Sequence, residues 1–237
     1  MLNKAATKYL HEYCVAIAKS AGVDNPEKQF SITPVIETKL RQAILHSDSF
    51  LKMISVIAVD QIQGQVVDVG TGALLTGRVK GGRFSKKLGI DGNKYNLVET
   101  DSGAAIAWET LTQWANSGTA GEFVKLMNAA TTRCFALDML RVGFNGKTIA
   151  ETTDPQANPN GEDVNKGWLT LVKEKMPAQV LANAKLDPAG KTAGAYKNLD
   201  SLTQDLINTT IHEVHRGSPD LVVLVGSDLV AAEQHRL

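Results

Sequence analysis

The chain has 237 residues, 43% of them hydrophobic and 21% charged, ordinary values for a soluble protein with one large domain or two modest ones. Lysine plus arginine (25) equals aspartate plus glutamate (25), so no net field recruits nucleic acid or an anionic membrane. Cys14 and Cys134 stand far apart with no CxxC, which reads as a reduced cytoplasmic protein, and no run approaches the ~18 apolar residues of a membrane-spanning helix.

Residues 3–21 read as an amphipathic helix with Tyr9, Leu10, Tyr13, Ala16 and Ile17 on one face, and with no continuous apolar core of a signal peptide. Gly22 stops it and Asp24-Asn25-Pro26 makes a turn, so this helix is expected to stand apart from the body as a detachable arm. Pro34 suits the first turn of a second helix whose apolar spacing runs to residue 54, with a break expected at Ser47-Asp48-Ser49. Strands are expected over 55–60 (SVIAVD) and 65–69 (QVVDV).

From 70 to 96 the composition turns rich in glycine, with six basic residues against one aspartate. Its apolar residues are too scattered for a compact unit. A long hairpin fits, with Asp91-Gly92 suiting a turn near a return strand at 95–99. One reading is a floppy surface loop; the other is a β-arm folded against a neighbouring subunit. A strand over 104–108 and a short helical stretch follow, with Trp108 and Trp114 assigned to the core.

The longest helical signature spans 119–146. Thr119 and Glu122 form a capping box, and Phe123, Leu126, Met127, Ala130, Cys134, Leu137 and Leu140 recur at the spacing of one buried stripe. Gly143 and Gly146 mark its expected end. At ~1.5 Å per residue it exceeds 30 Å, a beam expected to share one layer with the strands at 55–69 and 95–108. Beyond it lie a polar loop over 150–163, a short helix around Val164, Trp168, Leu171 and Val172, a glycine-rich connection over 185–197, and a helix over 200–215. The run 221–226 (LVVLVG) reads as a strand buried on both faces, followed by a last helix capped by Ser227-Asp228. A strand needs neighbours, so the chain is expected either to stop inside a second domain or to borrow strands from elsewhere.

Enzyme chemistry is not legible. The triplets Gly146-Lys147-Thr148 and Gly190-Lys191-Thr192 have Arg141 and Lys185 where a phosphate loop needs glycine. His212 and His215 sit one residue too close for HExxH, and no GxSxG occurs. No cofactor or metal site is expected.

The layout of N-terminal helix, basic β-arm, long spine helix and second α/β unit resembles the major capsid proteins of tailed phages, specifically those of P-two-like (Peduovirus-type) phages. The stretches carrying the resemblance are Phe30-Ser31 with Thr33-Pro34, Asn93-Lys94-Tyr95, Asp138 with Gly143-Phe144-Asn145-Gly146, 150–154 with Asn158-Pro159, Gly167-Trp168-Leu169 and 219–223. The resemblance implies an α+β Hong Kong 97 fold. Residues 1–30 would be an arm or removable propeptide cut at Phe30-Ser31, 31–61 the start of the peripheral domain and 62–100 the extended loop. Residues 101–198 would be the peripheral domain, with its spine helix at 119–141 carrying Thr119, Glu122, Phe123, Leu126, Met127 and Leu137. Residues 199–237 would open an incomplete axial domain.

Arg78, Lys80, Arg83, Phe84, Lys86 and Lys87 would form the inter-subunit part of the loop. Implied partners are copies of the chain itself, a scaffold and protease of the same phage, and packaged DNA only non-specifically, with no membrane. The implied place is the virion capsid, assembled in the bacterial cytoplasm. Two alternatives stand beside a shell subunit: a truncated capsid-derived protein that interferes with or redirects another phage's assembly, and a nucleotide-binding enzyme built around Leu221–Gly226.

Overall fold

In the computed structural model the described residues are 3–26, 28, 30–66, 68–69, 76–85, 90–92, 94–116 and 118–235, with the backbone alone at 68, 69, 90 and 91. The chain divides into two compact units, Met1–Leu140 and Arg141–Leu237.

In the first unit, α1 spans Lys4–Ala21. The Asn3 side chain caps it by accepting from the Ala6 amide at 2.7 Å, and Gly22 ends it in the left-handed region at φ 69°. The helix is not detached. Ala6 is fully buried in a cluster with Leu111, Ala115 and Phe123, and the Tyr9 ring lies 5.9 Å from that of Phe123. Asn3 donates to Asn116 (2.6 Å) and Tyr13 to Asn128 (3.1 Å), tying the start and the middle of α1 to the body. Burial raises the Tyr13 phenol above its ordinary pKa, and neighbouring Cys14 adds to this.

Helix α2, Pro34–His46, opens on proline as expected. The break at 47–49 is present: Asp48 accepts from the amides of Phe50 (2.8 Å) and Leu51 (3.3 Å), and a single 3₁₀ turn, Leu51–Met53, buries Leu51. Residues 55–60 form no strand. No partner pairs with their backbone among the described residues, and Val56 and Ile57 stay exposed. Residues 104–107 are likewise unpaired, and Trp108 opens α3 (Trp108–Asn116) with its indole 59% exposed rather than in the core.

The hairpin is real. Strands β1 (Gln63–Gln65) and β2 (Asp68–Val69) run antiparallel to β4 (Lys94–Asn96) and β3 (Ile90–Asp91). The pairs Gln63–Asn96, Gly64–Tyr95, Gln65–Lys94, Asp68–Asp91 and Val69–Ile90 share one register, extended at the base by Leu97 donating to Ile62 at 2.8 Å. Asp91 is therefore a strand residue, and Asp91-Gly92 does not form the turn that closes the hairpin.

Helix α4, Ala120–Asn145, is the beam, and it runs through Gly143 instead of stopping there. Its N-terminal capping box forms: the Thr119 amide donates to Glu122 Oε2 at 2.7 Å, and the Glu122 amide to Thr119 Oγ1 at 3.4 Å. The single buried stripe does not. Phe123 is buried and Met127 packs beside it, while Leu126, Leu137 and Cys134 are exposed, and Ala136 on another side is buried. The helix carries apolar residues all round, so spacing alone could not say which face turns inward. What covers its first turns is α1 and α3, and among the described residues the expected layer of strands at 55–69 and 95–108 is not formed against it.

In the second unit, α4 ends against the N-terminus of α5 (Trp168–Lys175), which starts four residues later than Val164 suggested. The glycines of 143–146 and 167 allow the close approach. Gly167 donates to the Gly146 carbonyl at 3.0 Å, and the Thr170 hydroxyl to the same carbonyl at 2.6 Å. The polar loop is pinned by Lys147 and Thr148 amides on the Glu162 carbonyl and by the Asp154 amide on the carboxylate of Asp163, which is buried. Helix α6 (Leu199–Thr210) has an Asn198–Ser201 capping box and stops before the two histidines. His212 instead caps a 3₁₀ turn, Glu213–His215, that ends in the second histidine, their rings 6.4 Å apart. Residues 220–226 are not a buried strand; they are exposed, with no regular secondary structure beyond the turn at Asp220. Helix α7 (Ser227–Gln234) follows with Gly226, not Ser227-Asp228, at its cap.

Candidate assembly surfaces

The exposed apolar side chains are the most informative feature of the surface. Exposed large apolar residues occur in both units, from Val35 and Ile57 to Leu169 and Val223. Apolar area left in water on this scale marks surfaces meant for partners.

The arm tip is one such surface. Residues 80–82 turn, Gly81 adopting φ 85°, and the Phe84 ring folds back over Gly77, where a β-carbon would lie 2.8 Å from it. The turn leaves Arg78, Lys80 and Arg83 exposed together with Val79, and none of these three cations makes an ion pair among the described residues. Lys86 and Lys87 lie outside the described residues. Sequence pattern found this basic tip, but not what stiffens its base. There the Tyr95 ring lies across Gly64, so that a β-carbon on Gly64 would come within 2.7 Å of Cζ.

Phe30 is half-buried and Ser31 exposed in a stretch without regular secondary structure between α1 and α2. An accessible, unpaired backbone of this kind suits a protease. Of the expected spine residues, Thr119 and Glu122 form the cap, Phe123 and Met127 belong to the core, and Leu126 and Leu137 face solvent, each 39% exposed. The Thr119 amide, and after it the Thr119 hydroxyl, holds the Glu122 carboxyl below its ordinary pKa.

In the second unit, Leu169, Val172, Val180, Leu181, Leu202 and Leu206 line an apolar hollow of about 260 Å³ with Lys173 at its edge. No charged pair or nucleophile points into it. Among the described residues no three His, Cys, Asp or Glu side chains gather where they could hold a metal ion, and no helix is long and apolar enough to cross a membrane.

Comparison with known proteins places the chain in a family. The sequence model of the phage major capsid proteins of the P2 family matches residues 9–237. The capsid proteins of Escherichia phage P2 are 31% identical over 238 residues, covering 92% of this chain and 65% of the relative. The major capsid protein of Serratia phage KSP20 is 31% identical over 212 residues, covering 85% and 60%. The chain thus spans less than two thirds of the length of these relatives. Among solved structures, a chain of the satellite phage P4 procapsid that includes the size determination (Sid) protein aligns with a TM-score of 0.70 and 26% identity, over 99% of this chain and 72% of that one. The fold is that of a phage capsid protein, and the chain belongs to the P2 family of phage major capsid proteins.

Proposed function

We propose that the chain is a structural subunit of a tailed-phage or prophage head, associating with copies of itself into the icosahedral shell around DNA. Its fold is then of the Hong Kong 97 type. Residues 1–30 are an N-terminal segment removable at Phe30-Ser31, 31–61 and 101–198 the peripheral domain, 62–100 the extended loop, and 199–237 the first part of the axial domain. The arm tip, with Arg78, Lys80, Arg83, Phe84, Lys86 and Lys87, lies on a neighbouring subunit. A scaffold and protease of the same phage act on the chain in the host cytoplasm, and DNA is met only non-specifically. The role is structural, without catalysis.

The observation that carries this reading is the P2-family match over residues 9–237, beside large apolar side chains left exposed in both units. Many modest contacts, each reusing the same patch on the next copy, turn that area into a stable shell.

The test is particle formation. The chain is expressed alone and together with a full-length P2-family capsid protein, and products are sized by light scattering and electron microscopy. Capsomers or shells that contain the chain are expected, and they are lost when Arg78, Lys80 and Arg83 are all replaced by glutamate. A chain that stays monomeric alone and is absent from the co-expressed particles overturns the reading.

A further inference from the structure

Helix α1 and the surface beneath it contribute unequally to their contact. Where they meet, α3 supplies buried Leu111 and Ala115, α4 supplies buried Phe123, and α1 supplies Ala6. On the following turns of α1, Tyr9, Leu10, Tyr13, Cys14 and Ile17 are half-buried. A helix that binds a groove as a free ligand does so through a row of apolar anchors at i, i+3, i+4 and i+7. Here the fully buried anchor is a single methyl group, with little apolar area to remove from water. The hydrogen bonds from Asn3 to Asn116 (2.6 Å) and from Tyr13 to Asn128 (3.1 Å) are exposed, where water competes for the same groups.

So lightly anchored a helix depends on its tether. Gly22 ends α1, Pro34 opens α2, and the described residues between them form neither helix nor strand. A short connection keeps a ligand beside its seat at an effective concentration on the order of 1 mM, and severing it leaves the helix's own affinity alone. We propose that α1 is a tether-dependent cover over Phe123 and Leu111, seated in the intact chain and released once the chain is cut between Phe30 and Ser31. This rests on the reading of residues 1–30 as a removable segment and adds what the removal does. The cut turns a core face of the first unit into an exposed apolar surface on α3 and α4. Any contact made through that face is thereby postponed until after the cut.

The test uses the full chain with a site-specific protease sequence inserted between Phe30 and Ser31, folded first and cut afterwards. Neither a phage protease nor particle formation enters the readout, so a chain that builds no particles can still pass and one that builds them can still fail. After cutting and dilution far below the tethered concentration, fragment 1–30 is expected to separate in size exclusion. Amide exchange in α3 and the first turns of α4 is expected to rise about tenfold or more, with α5 and α6 unchanged. A synthetic peptide of residues 1–22 in excess should restore the protection, because the seat is open and still folded. A second variant needs no cut. Ala6→Glu puts a charge at the buried contact and should speed exchange in α3 of the uncut chain, leaving the second unit as it was. Retention of the fragment through dilution would mean that α1 holds by its own contacts. Release with unchanged exchange in α3 and α4 would mean that α1 covered nothing, and exchange that the peptide does not reverse would mean unfolding. Each of these overturns the proposal, as does an Ala6→Glu chain whose α3 exchanges like the original.

Discussion

The indole of Trp168 lies against Gly143: a β-carbon at position 143 would stand 2.6 Å from Cη2 and 2.7 Å from Cζ3. Phe144, next along α4, meets the same indole edge-on with ring centroids 5.0 Å apart. The glycine is thus a seat for the aromatic ring, and the Gly-Phe-Asn-Gly and Gly-Trp-Leu stretches are two sides of one joint.

Replacing Gly143 by alanine should therefore unseat the joint. Helix propensity alone would favour alanine by about 0.5–1 kcal/mol. Overpacking against a ring held by Phe144 costs about 1–3 kcal/mol and outweighs it. The expected result is a lower thermal midpoint for the second unit and a shifted Trp168 emission. Gly103→Ala, where no atom lies within 4 Å of the added carbon, should leave both unchanged. Equal midpoints for the two variants would refute the seat.

Within α4, folding and assembly should separate by residue. Phe123 is fully buried among Ala6, Leu111 and Ala115, so Phe123→Ala is expected to cost about 3–5 kcal/mol in denaturant unfolding. Leu126→Ala and Leu137→Ala, both at exposed sites, should cost under about 1 kcal/mol. If those two leucines serve contacts between copies, they lower particle yield without lowering stability. A large unfolding effect at Leu126 would restore the single stripe.

Residues whose signals are local were legible. Gly22, Pro34, Asp48 and the Thr119–Glu122 pair each fix a helix end by chemistry within a few residues, and the helices begin or end where those residues stand. The hairpin was legible from composition, its register was not, because that depends on Tyr95 folding over Gly64 across the strands. The strands at 55–60 and 221–226 failed for a related reason. A β-branched apolar run reports a preference for pairing, but the partner that completes a strand lies elsewhere, and neither run has one among the described residues. In α4 the apolar spacing predicts a buried stripe, whereas an exposed apolar face and a core face are written in the same kinds of residue. Leu126 and Phe123 look alike in sequence and differ only in what covers them.

Asn3 ties α1 to α3, since it caps α1 and also reaches Asn116 at 2.6 Å. Asn3→Ala removes both, and caps of this kind contribute about 1 kcal/mol. Faster amide exchange is expected throughout the first turns of α1, and in α3 near Asn116. Loss confined to α1 would show that the cross-link to α3 contributes nothing.

The cap of α4 sets an acid limit. The carboxyl of Glu122 is held below its ordinary pKa chiefly by the Thr119 amide, then by the Thr119 hydroxyl, with Lys125 adding a smaller effect. A depressed folded-state pKa binds fewer protons than the unfolded chain, so its stabilisation is present above the ordinary carboxylate range and disappears as pH falls through the folded value. Asp187, held low by Thr192 in the second unit, acts in the same direction. Tyr196 acts oppositely: its hydrogen bond to Asp205 raises the phenol, so that contribution is complete below the ordinary tyrosine pKa and is lost only as pH rises through the raised one. Because Glu122 is exposed, the effect is local fraying rather than global unfolding. The amide resonance of Thr119 should move with the titration of Glu122 at acid pH, and should stop moving in Glu122→Gln, which keeps an acceptor but has no charge to lose. A Thr119 resonance that titrates identically in both proteins would mean that the capping box does not hold the start of the spine.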